Sequence, residues 1–315
     1  MSRSVARLRQ DSAPLAGMLE SWERELRSAD KSPKTIRSYG DSVRALARHL
    51  GGGATTSVTA DQLRGFFAAE HERTAPASVA IHFRNLRVFF NWLAAEEPGL
   101  VPASPMAGMK APDVPRRHKP PFSPDELTAF LKATGGAGFE DRRDHAIIRI
   151  LIDNGMRVSG LAGLRLRYTD EHGKPQSDVD LGHQRLVITL KGGDELAVPI
   201  GRKATAAIDR YQRARLRHAH AEEDWLWLSP RGRFTSWGIR QMLTRRGEQA
   251  GVANVYPHRF RRTFADKWLE GGGDGFDLTK ITGWRSMSMV AVYAGERATE
   301  RARIAHARLS PGDRL

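Results

Sequence analysis

Leu186-Val187-Ile188-Thr189-Leu190-Lys191-Gly192-Gly193-Asp194-Glu195-Leu196-Ala197-Val198-Pro199-Ile200 is the stretch on which the fold class turns. Two runs of β-branched and aliphatic residues flank a short turn with two glycines and an aspartate, which predicts a β-hairpin with strands at 186–190 and 196–200. Lys191 tops the turn, where a flexible ammonium can reach a ligand. Outward from the hairpin the pattern is helical. Downstream, helices are predicted at about 204–217, 237–249, 258–270 and 287–293. Upstream, Ser123-Pro124-Asp125-Glu126 joins an N-cap to a first-turn proline and two carboxylates, and a further helix runs over 142–153 until Gly155 caps it. The expected class is mainly α with a small β-sheet (α+β).

Further upstream, seven prolines lie between Pro98 and Pro121 with few large apolar residues. Proline has no amide hydrogen and a fixed φ, so this stretch predicts an extended linker that divides the chain. Its cluster Arg116-Arg117-His118-Lys119 either lies along a phosphate backbone or keeps the linker solvated. Before it, four apolar stripes predict a helical bundle. They are Leu15, Leu19, Trp22 and Leu26; Ile36, Tyr39, Val43, Leu46 and Leu50; Leu63, Phe66 and Phe67; and Val79, Phe83, Leu86, Phe90 and Leu93. The expected organisation is a helical domain at 12–97, a linker at 98–121 and a second domain with a C-terminal tail at 122–315.

Fifty Lys plus Arg against 36 Asp plus Glu give a formal charge of +14. Arginine dominates the excess, and its planar fork suits phosphate, so a polyanionic partner is expected. There is no cysteine, which removes disulfides, thiolate zinc sites and cysteine nucleophiles. No apolar run is long enough to cross a bilayer, and MSRSVARLRQ is not followed by the apolar core of a secretory signal, so a cytoplasmic protein with no membrane partner is expected.

Several chemistries find no support. G-x-x-x-x-G-K-[ST], H-E-x-x-H and G-x-S-x-G are all missing. His218 and His220 are predicted two apart on a helix, pointing away from each other, and the acids are dispersed, so neither a metal nor a nucleotide cofactor is expected. What remains is a set of cationic and polar residues at structural junctions. Asn154-Gly155-Met156-Arg157 sits between two predicted helices. Pro257-His258-Arg259-Phe260-Arg261 opens another, and the spacing of three puts His258 and Arg261 on one face. Gly283-Trp284 and Tyr293 follow.

Taken in order, Arg157, Lys191 on a hairpin, His258 with Arg261, Trp284 and Tyr293 resemble the tyrosine recombinase (phage integrase) family. The resemblance covers about residues 120–296. The N-terminal bundle matches the family's core-binding domain in size, helical content and position. Two positions depart from the pattern. Gly160 stands where the family usually has a carboxylate, three residues after the first arginine, and Trp284 replaces the commoner histidine.

The resemblance implies cleavage and rejoining of DNA through a 3′-phosphotyrosine link to Tyr293. Arg157 and Arg261 would clamp the non-bridging oxygens. His258 would serve as base or hydrogen-bond donor, Lys191 would protonate the leaving 5′ oxygen, and Trp284 would pack beside the phosphate and donate its indole N–H. Presenting a free phenolate at pH 7 costs about 4 kcal/mol, which two guanidiniums would reduce. One ester replaces another, so no ATP is needed. Each residue also has a plainer reading: Tyr293 and Trp284 as core, the arginines as surface, His258 as a helix cap, Lys191 as a turn residue.

Double-stranded DNA with specific recombination sites is the expected partner, held in a C-shaped clamp by both domains. Arg240, Arg245 and Arg246 would place a helix in a groove, with Arg84 and Arg87 contributing from the bundle. The tail after Tyr293 would dock on a neighbouring protomer in a homo-tetramer. The expected activity is site-specific recombination by a compact integrase. The alternatives are a chromosome-dimer resolvase, a type IB topoisomerase-like enzyme, and a DNA-binding protein that no longer cuts.

Overall fold

The computed structural model describes residues 13–51, 54, 56–114, 120–190, 193–294 and 298–314; for 292–294, 298, 300, 301 and 314 it describes the backbone only. The chain divides into two compact units between Arg117 and His118.

The first unit is a bundle of α1 (Leu15–Ser28), α2 (Pro33–His49), α3 (Ala60–Arg73) and α4 (Pro76–Glu96). The helices begin where local chemistry dictates. Ser32 accepts from the Thr35 amide ahead of Pro33, and Thr59 with Gln62 closes a capping box. Each predicted stripe turns inward: Leu19, Trp22, Val43, Leu46, Phe66, Phe83 and Leu86 form one core. The expected linker differs from its prediction over its first half. Val101 and Met106 are buried in this same core, and the Met109 carbonyl accepts from Arg87. The prolines there shape turns that pack on the bundle; few apolar residues were enough.

The second unit opens with α5 (Pro124–Ala133), capped by a Ser123–Glu126 box, and α6 (Phe139–Asn154). A short α7 (Val158–Gly163) follows. A β1–β2 ladder (Tyr168–Thr169 and Pro175–Gln176) precedes the sheet formed by β3 (Val179–Asp180), β4 (Arg185–Thr189) and β5 (Glu195–Pro199). All pairings are antiparallel, with Leu186 opposite Val198 and Ile188 opposite Leu196. This register sends Leu186, Ile188 and Val198 into the core, with Ile147, Leu151, Leu161, Tyr211, Trp227 and Phe260. Then come α8 (Arg202–Arg215), the β6–β7 ladder (Leu228–Ser229 and Gly232–Arg233), α9 (Ser236–Ala250), α10 (Pro257–Glu270), α11 (Gly275–Thr282), α12 (Met287–Ala294) and α13 (Ala298–Leu309). The mainly helical class with a small sheet is as expected. The first and last small ladders and α11 had no prediction.

His218 and His220 lie beyond the end of α8, and their rings approach to 5.8 Å instead of diverging as predicted on a helix. His218 stacks on Phe139 at 4.4 Å. Among the described residues no cluster of three His, Cys, Asp or Glu can hold a metal, and no helix is long and apolar enough to cross a membrane.

Candidate active site

Gly155 decides the local architecture. Its φ of 59° is left-handed, and a Cβ there would stand 2.9 Å from the Arg261 Cα and 3.1 Å from the Phe264 Cβ. Only glycine both ends α6 this way and lets α10 come so close. The Gly155 carbonyl then accepts from Arg261 Nη1 at 3.0 Å, while Nη2 donates to the Thr282 carbonyl at 2.8 Å. Thr282 ends α11, and the following Gly283 is again left-handed, packed against Leu196 of the hairpin. The Arg261 guanidinium is thus bolted to the C-terminal carbonyls of two helices, where the helix dipoles favour a cation.

Past the α6 terminus Met156 is buried and Arg157 is exposed at the N-cap of α7. Arg157, Arg261 and Trp284 line one cleft of about 720 Å³, floored by Ile188, Leu196 and Val198 of the sheet. The Arg261 guanidinium carbon lies 4.9 Å from the Trp284 ring centre. Trp284 is buried with Phe264, Leu278 and Val290, so it fills core and borders the cleft at once. His258 stands one turn ahead of Arg261. Its pKa is lowered, first by partial desolvation and then by Arg261, Arg262 and Arg157, which keeps the imidazole neutral near pH 7.

Lys191 lies outside the described residues, but Leu190 and Asp194, on either side of the turn, both line the cleft. Tyr293 lies on α12, whose Val290 packs with Trp284; of its side chain only the position in sequence is described. Gly160 borders the cleft, and an added Cβ would meet Ile188 Cδ1 at an ordinary 3.4 Å. The sequence reading missed Lys280 and Arg285, two further cations on the cleft wall. Arg285 directly follows Gly283-Trp284, a signal that was available.

The expected DNA-contacting arginines divide. Arg84 is exposed on α4 and Arg240 on α9, beside Trp237 at 71% exposure. Arg87 is half-buried over the Phe83 ring and occupied by the Met109 carbonyl. Arg245 is exposed, with Glu140 at 3.6 Å and Asp144 at 3.5 Å. Arg246 corrects the prediction. It continues the buried stripe of Ile239, Met242 and Leu243, and its guanidinium pairs with Asp141 and Asp144, each at 2.8 Å. With that stripe facing the core, Arg246 falls inside it and Arg240 outside. The cluster at 116–119 lies outside the described residues.

Comparisons with known proteins bear on the family and the fold. Residues 122–300 match the phage integrase family, and residues 18–99 match the phage integrase N-terminal SAM-like domain. The chain is 30% identical to tyrosine recombinase XerC of Ralstonia pickettii, over 86% of this chain and 85% of that one. It is 31% identical to tyrosine recombinase XerC of Corynebacterium efficiens, over 88% and 87%. In fold it is similar to a lambda integrase dimer bound to a core site, with a TM-score of 0.72 at 18% identity, covering 94% of this chain and 82% of that one. A lambda integrase tetramer bound to a Holliday junction gives 0.70 at 18% identity, covering 91% and 82%. The chain belongs to the phage integrase family and is a tyrosine-type site-specific DNA recombinase, with Arg157, Arg261 and Trp284 of the pattern on one cleft.

Proposed function

We propose that the chain breaks and rejoins one DNA strand by moving a phosphodiester onto Tyr293 and back. The phenol oxygen attacks phosphorus as its proton passes to His258; the bond to the 5′ oxygen breaks, and Lys191 supplies that oxygen with a proton. The products are a 3′-phosphotyrosine link and a 5′ hydroxyl. Arg157 and Arg261 bind the non-bridging oxygens, on which charge builds in the transition state, and Trp284 closes the side of the site. The observation that carries this reading is the convergence of Arg157, Arg261 and Trp284, from three separate stretches, on one cleft beside the hairpin.

Arg84 and Arg240 are the exposed arginines proposed to meet the duplex, with Arg245 at the margin of the same α9 surface. Assembly as a homo-tetramer on two sites is supported by α13, which exposes Ile304 at 56% and Leu309 at 51%, and by the likeness to the lambda integrase tetramer. Of the settings expected from sequence, kinship with the XerC recombinases over most of their length supports resolution of chromosome dimers beside integration.

A nicked suicide duplex, taken from the DNA flanking the gene, tests the proposal. Cleavage next to the nick releases a short oligonucleotide and strands the enzyme on DNA. The native chain is expected to form this adduct and Tyr293→Phe to form none. Trapping by Tyr293→Phe would overturn the assignment.

A further inference from the structure

A second row of basic groups lies along another face of α6. Arg142, His145 and Arg149 recur at spacings of three and four and so share one side of the helix. Arg210 reaches the same place from α8, whose start is tied to α6 by the Gly201 amide donating to Asp153 Oδ2 at 2.6 Å. Between these residues and the loop at 134–137 is a pocket of about 340 Å³, lined by Arg142, His145 and Arg210. It shares no lining residue with the active-site cleft. Arg142 stands roughly 18 Å back along the helix from Asn154, at 1.5 Å per residue.

Geometry settles the protons inside this pocket. Arg149 Nε can only donate, and it meets His145 Nε2 at 3.2 Å, so that nitrogen accepts. The ring proton is therefore on Nδ1, which donates to Thr134 Oγ1 at 3.1 Å. The Thr134 hydroxyl in turn donates to the Phe130 carbonyl at 3.1 Å. His145 is neutral, and burial, then Arg149 and Arg210, lower its pKa.

A carboxylate, Asp153, attracts Arg149 from beyond ion-pair distance. Among the described residues, neither Arg142 nor Arg210 has an acid within ion-pair reach, and Arg149 bonds only His145. Of the two nearby acids, Asp153 accepts from the Gly201 amide as well as acting on Arg149, and Asp141 pairs with Arg246 at 2.8 Å through Oδ1 while its Oδ2 lies against Gly136. The buried arginines Arg143 and Arg246, by contrast, both pair with Asp144.

We propose that this pocket is a second anion site that takes a phosphate group, separate from the phosphate bound for cleavage. Its volume is within the roughly 300–1,000 Å³ of small-ligand sites, and the two guanidiniums that line it, those of Arg142 and Arg210, suit the tetrahedral oxygens of phosphate. The phosphate comes either from a free oligophosphate or from a DNA strand passing outside the cleft.

The two sites each carry one histidine, which makes them separable by NMR of the full chain. His145 and His258 ring resonances are assigned with His145→Gln and His258→Gln, and inorganic pyrophosphate is added at constant ionic strength. The His145 signal is expected to shift and saturate. In Arg142→Gln/Arg210→Gln the midpoint rises at least about tenfold, whereas Arg142→Lys/Arg210→Lys, which keeps the charge, lies in between. The His258 response is unchanged in both. A His145 signal that does not move, or that moves with the same midpoint in the Gln variant, overturns the proposal. Duplex DNA then identifies the source: displacement of pyrophosphate from His145 assigns the site to a phosphodiester, and retention assigns it to a free oligophosphate.

Discussion

Arg261 and Arg246 are both nearly fully buried, at 4% and 7% exposure, yet their surroundings differ in kind. Arg261 is held by two neutral carbonyls, those of Gly155 and Thr282. Arg246 meets Asp141 and Asp144, and Asp144 also binds Arg143, through Oδ1 at 2.8 Å. Carbonyl dipoles orient a guanidinium without cancelling its charge, so Arg261 can still present that charge to a ligand. Carboxylates cancel it, and Arg246 serves the fold. In this chain, what an arginine does is decided by which oxygens hold it.

The largest expected effect breaks the neutralised side of this comparison. Asp144→Ala takes from Arg143 its buried carboxylate and leaves Arg246 with Asp141, and should cost about 3–5 kcal/mol, read as a lower denaturant midpoint. DNA affinity per folded molecule should not fall, since Arg245 at the margin of the α9 surface only loses an acid. Loss of affinity without loss of stability would place the Asp144 knot in the DNA interface.

Gly155→Ala attacks the carbonyl side. A Cβ at 2.9 Å from the Arg261 Cα, on a left-handed backbone, should cost about 1–3 kcal/mol and slow cleavage as well, because Arg261 loses its seat. An equal loss of stability with full activity would show that the seat does not matter.

His258 sharpens the electrostatic account. Its pKa is lowered from 6.5, so the neutral form prevails at pH 7 and is lost only as pH falls through the lowered value. Cleavage should hold from neutral pH down and then drop by up to about tenfold per pH unit below that pKa, a limb absent in His258→Gln. The same sign governs stability. The unfolded imidazole takes up a proton first, so any contribution of His258 fades as pH drops from 6.5 toward the folded pKa. A smaller effect is expected at Gly160. Alanine fits at 3.4 Å from Ile188 inside a helix and should stabilise by about 0.5–1 kcal/mol in thermal unfolding.

Much of this was legible before the fold was known. The hairpin and the bundle followed from period and capping, because apolar stripes and Ser, Thr and Pro at helix starts act locally. The order of Arg157, His258, Arg261, Trp284 and Tyr293 pointed to one site. What could not be read was the company each arginine keeps. Arg240 and Arg246 look alike in sequence, and only the tertiary fold brings Asp144 to the second. Val101 and Met106 are as opaque, since two apolar residues among prolines carry no period.

The central claim is that Arg261 delivers its charge to the non-bridging oxygens of the phosphate being cut. It is tested most directly by comparing cleavage of ordinary DNA with cleavage of a duplex carrying a neutral methylphosphonate at the scissile position. Arg261→Ala should be slowed about a thousandfold on the phosphodiester, roughly 4 kcal/mol, and should recover most of that on the methylphosphonate, where a neutral methyl replaces one of the two charged oxygens and less charge needs stabilising. Equal impairment on both substrates would contradict the account.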